Sequence, residues 1–147
     1  MKQVLFLSLV ATAIGLVFAG AARPSVTGLI DVFEHAETDK TTDTGKKGDS
    51  AGDILTFANP IFDGADKQKV GTDNGFCVRT VARVAYECWW TTFLPKGQIT
   101  VEGPFYDKKP SVLAITGGTG AYANARGWMA LNSRAGGTQY DFVFHIS

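Results

Sequence analysis

The 147-residue chain balances 14 Lys and Arg against 14 Asp and Glu, so it has no field with which to attract nucleic acid or an anionic membrane surface. With 17 glycines, many β-branched residues and many aromatics, the composition favours an all-β chain rich in tight turns. Two cysteines outside any CxxC and two histidines far apart, His35 and His145, leave no plausible zinc ligand set.

Lys2, the apolar run Val4–Phe18 and the small residues Ala19, Gly20, Ala21 and Ala22 read as a signal peptide over residues 1–22, cleaved near Arg23. The run is too short for an ordinary membrane span. Residues 23–147 are then expected to form one exported domain, secreted or periplasmic, which in an oxidising compartment permits a disulfide.

Along that domain, alternating or apolar runs bounded by Gly, Pro, Asn and Asp predict eight strands. They are Leu29–Glu37, Asp53–Phe62, Gly75–Val81, Ala85–Leu94, Gln98–Gly103, Val112–Thr116, Gly127–Arg134 and Thr138–Ile146. Thr38–Ser50 has no apolar residue and is expected to be a loop. In the last strand Tyr140, Phe142, Phe144 and Ile146 share one face, which must be buried. Pro95-Lys96 and the Arg134–Gly137 segment suit hairpins, so consecutive strands should run antiparallel. With this much apolar surface and no helix to cover it, the sheet should close on itself.

A hairpin turn centred on Ala82 and Arg83 would set Cys77 opposite Cys88. The two sulfurs then either bond or pack as small apolar groups, and an exported setting favours the bond. Gly118-Thr119-Gly120-Ala121-Tyr122-Ala123 formally fits a dinucleotide-binding pattern. Without a strand–helix context, glycines that permit a tight barrel corner explain it better.

Several segments in order along the chain resemble the allene oxide cyclases and the related dirigent proteins. They are Gly52-Asp53-Ile54-Leu55-Thr56-Phe57-Ala58-Asn59, Val70-Gly71, Gly75-Phe76-Cys77-Val78, Ile99-Thr100-Val101-Glu102-Gly103-Pro104-Phe105 and Leu113–Gly120. Ala125-Arg126-Gly127 is closer to the dirigent branch. The resemblance spans Glu34 to Ile146 and implies a closed, lipocalin-like barrel of eight antiparallel strands that assembles as a homotrimer. An eight-stranded barrel has room for one small ligand.

By the same resemblance Glu34 is the inward-facing catalytic acid, Asn59 holds a water against the substrate oxygen, and Cys77 lines the pocket. A bridge to Cys88 would remove any free-thiol role. Phe57, Phe105, Tyr106 and Arg126 are the expected substrate contacts. Three positions depart from the cyclase pattern: Phe105 replaces a tyrosine, with Tyr106 adjacent; Ala36 replaces an asparagine; and Thr42-Asp43 replaces a Ser-Pro pair. Trp89, Trp90 and Trp128 are expected in the core or at oligomer contacts. No paired-carboxylate motif stands out.

The resulting expectation is a cofactor-free isomerase or cyclase that binds an apolar small molecule and steers its stereoselective cyclisation, mainly by orientation and water exclusion. The alternatives are a non-catalytic ligand-binding barrel, a dirigent-type protein steering radical coupling, and a structural barrel filled by its own side chains.

Overall fold

The computed structural model of the protein describes residues 26–147, so the expected signal peptide lies outside the described residues. Ten strands are present among them: β1 (Gly28–His35), β2 (Lys40–Thr42), β3 (Ile54–Phe57), β4 (Pro60–Asp63), β5 (Lys69–Val81), β6 (Ala85–Leu94), β7 (Gly97–Tyr106), β8 (Ser111–Gly118), β9 (Gly127–Arg134) and β10 (Gln139–Ile146). They form one sheet in the order β2-β3-β5-β4-β1-β10-β9-β8-β7-β6, closed by a β5–β6 pairing. Every pairing is antiparallel. The closed circuit has eight staves, because β3 and β4 share one: β3 pairs with the second half of β5 and β4 with its first half. Closure leaves no long edge to template aggregation.

Period-two alternation decides what lies inside. Val32, Cys77, Cys88, Trp90, Ile99, Val101, Leu113, Ile115, Met129, Leu131, Phe142 and Phe144 are all buried and pack as one core. Gly75 is an inward position without a side chain, opposite Trp90; a Cβ there would overlap the Trp90 side chain and the Trp89 carbonyl. The missing side chain on β5 is what admits the indole.

The predicted strand Asp53–Phe62 is broken at Ala58-Asn59, and the predicted loop Thr38–Ser50 contains the short β2. The break has a local cause. Asn59 and Asp73 exchange backbone hydrogen bonds, Asn59 N to Asp73 O at 3.1 Å and Asp73 N to Asn59 O at 2.9 Å, and Pro60 restricts the residue before it to extended geometry. The Gly118–Ala123 segment ends β8 and makes a single 3-10 turn, Gly120–Tyr122. Gly120 sits there at φ +61, and a Cβ would strike the Lys96 carbonyl, so this glycine belongs to a barrel corner.

Candidate functional site

One end of the barrel interior holds a cavity with aromatic walls. Phe57 on β3, Trp90 on β6, Phe105 on β7, and Tyr140 and Phe142 on β10 line it, with Leu55, Leu131 and the two cysteines filling between them. The rings meet edge to face or tilted: Phe57 and Trp90 have centroids 5.9 Å apart, Trp90 and Phe142 5.5 Å, and Phe105 and Tyr140 5.7 Å. The enclosed volume is about 30 Å3, and the surrounding space between atoms, part of it open to solvent, is about 340 Å3. The enclosed part has room for a water. A larger occupant needs the half-buried Phe57, Phe105 and Tyr140 to move aside.

Carboxyl groups lie at one edge. Glu34, near the end of β1, is cross-strand to Tyr140 on one side and Ile61 on the other. It is 5% exposed. Burial holds its carboxyl well above the usual carboxylate range, repulsion from Asp73 adds to this, and a hydrogen bond from Asn59 opposes it. Asp73 on β5 is also buried, and burial pushes it up to about 7. The two carboxyls are within hydrogen-bonding reach of each other, and Asp73 Oδ2 has no N–H or hydroxyl donor. Two buried carboxylates cannot both ionise at such proximity, so the pair holds one proton near neutral pH. Their contact raises Glu34 and lowers Asp73, so Glu34 carries the proton and donates it to Asp73. Tyr140 is raised to about 12 by burial and by the neighbouring negative charges of Asp39 and Glu34.

Asn59 organises this edge. Its Nδ2 donates to Glu34 Oε1 at 2.7 Å and to Asp39 Oδ1 at 2.7 Å, and its Oδ1 accepts from Glu37 N at 3.0 Å, Thr38 N at 2.9 Å and Thr38 Oγ1 at 3.1 Å. Both amide hydrogens are therefore committed, which corrects the expectation that Asn59 holds a water against a substrate. It is a positioning residue that ties β1, the start of the 36–53 segment and β4 together.

The other expected residues divide. Glu34, Phe57, Cys77 and Phe105 all reach the cavity. Cys77 and Cys88 are cross-strand partners with Cα atoms 4.0 Å apart and are joined by a disulfide, so Cys77 is a wall and has no thiol to offer. Tyr106 does not reach the cavity. Alternation turns it outward beside Lys109, whose Nζ lies 4.0 Å from the ring centroid, and it cannot replace the tyrosine that Phe105 displaces. Arg126 is exposed; its carbonyl accepts from Ser147 N, beyond the far end of β10 from Tyr140. It belongs to the opposite end of the barrel.

Asp73, Asp39, Tyr140 and Trp90 are the site residues that sequence reasoning missed. Trp90 lines the cavity, whereas Trp89 and Trp128 point outward and are 42% and 43% exposed. The Trp90 indole N–H is buried without a partner. Arg79 on β5 is buried and holds two loops: its guanidinium meets Asp49 at 2.8 Å and Asp107 at 2.7 Å and stacks 3.5 Å over the Tyr86 ring. Among the described residues no group of three or more His, Cys, Asp or Glu is arranged to hold a metal ion.

Solved structures share this architecture. A pyocyanin demethylase superposes with a TM-score of 0.67 at 28% identity, over 79% of this chain and 99% of that one. A pterocarpan synthase dirigent protein gives 0.63 at 18%, over 81% and 95%. A Diels-Alderase from Streptomyces koyangensis gives 0.63 at 14%, over 82% and 69%. The last two likenesses concern the fold alone. At the level of sequence, the model of the family described as allene oxide cyclase matches residues 23–146. With that match running the length of the closed eight-stave barrel, this chain belongs to the allene oxide cyclase family.

Proposed function

We propose that the protein is an exported barrel that takes one small, largely apolar molecule into the aromatic cavity and steers its cyclisation or isomerisation. The observation that carries this reading is the buried Glu34–Asp73 pair at the edge of an otherwise apolar chamber, in which burial favours the protonated form of Glu34. Such a group is a general acid. When a ligand enters, the Glu34 O–H turns from Asp73 to a substrate oxygen and donates a hydrogen bond there as negative charge develops. The aromatic walls fix the conformation in which the new bond forms and exclude water from the intermediate. The Trp90 N–H offers a second donor to an oxygen on the ligand. No step calls for a cofactor.

The pyocyanin demethylase, dirigent and Diels-Alderase neighbours support a barrel that acts on or steers small molecules. The disulfide supports export, since such bonds persist in oxidising compartments. A homotrimer is supported by the outer surface. Leu29, His145, Trp128, Ala114, Glu102, Trp89 and Phe76 are successive cross-strand neighbours across seven strands. Four of them are large, exposed and apolar, which suits a surface covered by another copy.

Turnover of epoxide and polyene candidates by the wild type and by Glu34→Gln tests the chemistry. Glu34→Gln should lose at least about a hundredfold in kcat while still binding. Full activity in that variant removes Glu34 from the mechanism. Ligand retention without turnover in the wild type would support a second reading, a carrier barrel, which the loss of the tyrosine at Phe105 and the full commitment of Asn59 favour.

A further inference from the structure

The charge and shape of the cavity say more about its occupant than the family does. Five aromatic side chains, Phe57, Trp90, Phe105, Tyr140 and Phe142, surround a narrow space, and Glu34 and Asp39 are the charged residues in its lining. Asp73 is buried within hydrogen-bonding reach of Glu34. Among the described residues no Lys, Arg or His reaches the lining, and the buried Arg79 is spent on Asp49, Asp107 and the Tyr86 ring. The pair shares one proton, so the edge carries the charge of one buried carboxylate plus that of the exposed Asp39.

Two unpartnered polar groups add to this. The Trp90 indole N–H is buried in the wall with no acceptor, and Asp73 Oδ2 is buried with only the Glu34 proton to satisfy it. A ligand is the natural partner for the indole N–H, because buried donors are rarely left unmet.

We infer that the cavity selects a planar aromatic ligand that is cationic, or positively polarised at a ring nitrogen, and rejects carboxylates. Aromatic faces present negative potential to a cation, and the acidic edge compensates the charge once water is expelled. An anionic ligand would be desolvated next to like charge with no counter-ion in reach, the situation that burial penalises most heavily. A flat ring system suits walls made of flat rings and one hydrogen-bond acceptor suits Trp90. This rests on the cavity being a ligand site, and it narrows the class of ligand within that reading.

The test uses three probes with the same two-ring frame and different charge: N-methylquinolinium, 2-methylnaphthalene and 2-naphthoate. Each is titrated calorimetrically into the purified protein, into Asp39→Asn and into an Asp39→Asn/Asp73→Asn double variant. N-methylquinolinium should bind roughly tenfold more tightly than 2-methylnaphthalene, and 2-naphthoate should not bind. In Asp39→Asn the preference should shrink, and in the double variant, which also removes the buried carboxylate beside Glu34, it should vanish, with an unchanged near-ultraviolet circular dichroism spectrum reporting an intact barrel. Quenching of tryptophan fluorescence by N-methylquinolinium that is lost in Trp90→Phe places the probe inside the barrel. Binding of 2-naphthoate as tight as that of the cation, or a cation preference that survives in the double variant, overturns the inference. If 2-methylnaphthalene binds and the cation gains nothing, the ligand class fails and the cavity reading stands. If none of the three binds, both fail.

Discussion

Asn59 and Asp73 face each other where β4 meets β5 and are joined three times over. Each backbone N–H reaches the other's carbonyl, and Asn59 N lies 3.1 Å from Asp73 Oδ1 as well. The pairing turns both side chains into the barrel, where the amide grips Glu34 and Asp39 and the carboxyl shares a proton with Glu34. A break in one stave thus becomes the strongly polar part of the chamber wall.

The shared proton makes stability depend on pH. Asp73 titrates near 7 in the folded protein and near 3.8 as a free side chain, and Glu34 is raised as well. Between those values the folded state binds more protons than the unfolded chain. Unfolding free energy therefore falls as pH rises from about 4 through about 7, where Asp73 gives up its proton, and it goes on falling until Glu34 gives up its own. Asp73→Asn removes one carboxyl and lets Glu34 hydrogen-bond to a neutral partner. Denaturant unfolding at pH 4.5 and pH 7.5 should show a loss of a few kcal/mol in the wild type, since each tenfold change in proton affinity on folding is worth about 1.4 kcal/mol, and a flatter profile in the variant. Equal slopes in the two proteins would mean that the pair is not coupled as described.

Asn59→Ala should be among the most damaging substitutions in the barrel. It strands the Glu37 and Thr38 N–H groups and removes the donor to Glu34, each a part-buried or buried group. Leaving such groups unmet costs about 1–3 kcal/mol each, so a total of roughly 3 kcal/mol or more is expected by equilibrium unfolding. If Asn59 acted on substrate alone, stability would hold and only turnover would fall.

Strand alternation made much of this molecule legible in its sequence. β6, β9 and β10 lie within a residue of their predicted bounds, and the constant-sum register of the hairpin correctly set Cys77 against Cys88. The strand predicted to end at Gly103 runs on to Tyr106, so Phe105 and Tyr106 are successive strand residues and only one of them faces inward. Asp73 was hidden for a different reason. Lys69–Asn74, with Gly71, Asp73 and Asn74, lies outside the predicted strands; it is a strand because β4 on one side and β6 on the other pair with its backbone. The paired carboxyls are 39 positions apart and no local pattern joins them. Arg126 misled because a shared tripeptide says nothing about which end of the barrel it occupies.

The Cys77–Cys88 bond lies in the cavity wall between two strands that are already paired, with a sequence separation of 11 between the cysteines. Removing it as Cys77→Ala/Cys88→Ala frees the unfolded chain by about 3 kcal/mol in the chain-entropy account and opens space beside Trp90. The expected drop in Tm is roughly 10 °C, read by calorimetry. A change of under about 2 °C would show that hairpin pairing alone fixes this part of the wall.

Assembly turns on the outer belt. Trp89 and Phe76 are cross-strand partners on β6 and β5, and Trp128 stacks on His145 at 3.6 Å on the neighbouring staves β9 and β10. These side chains point away from the cavity, so changing them should leave the interior untouched. A monomer gains nothing from exposing four large apolar side chains in one row, whereas a copy laid against it removes them from water. Light scattering should give a wild-type mass about three times that of the chain, and Trp89→Lys should yield monomers, because a copy laid against it would bury a charge, while in the monomer Glu102 lies directly across from the new ammonium. Unfolding of the diluted monomer should match that of a diluted wild type. A wild type that remains monomeric at high micromolar concentration would leave the belt without a copy to cover it and would remove the trimer from the proposed function.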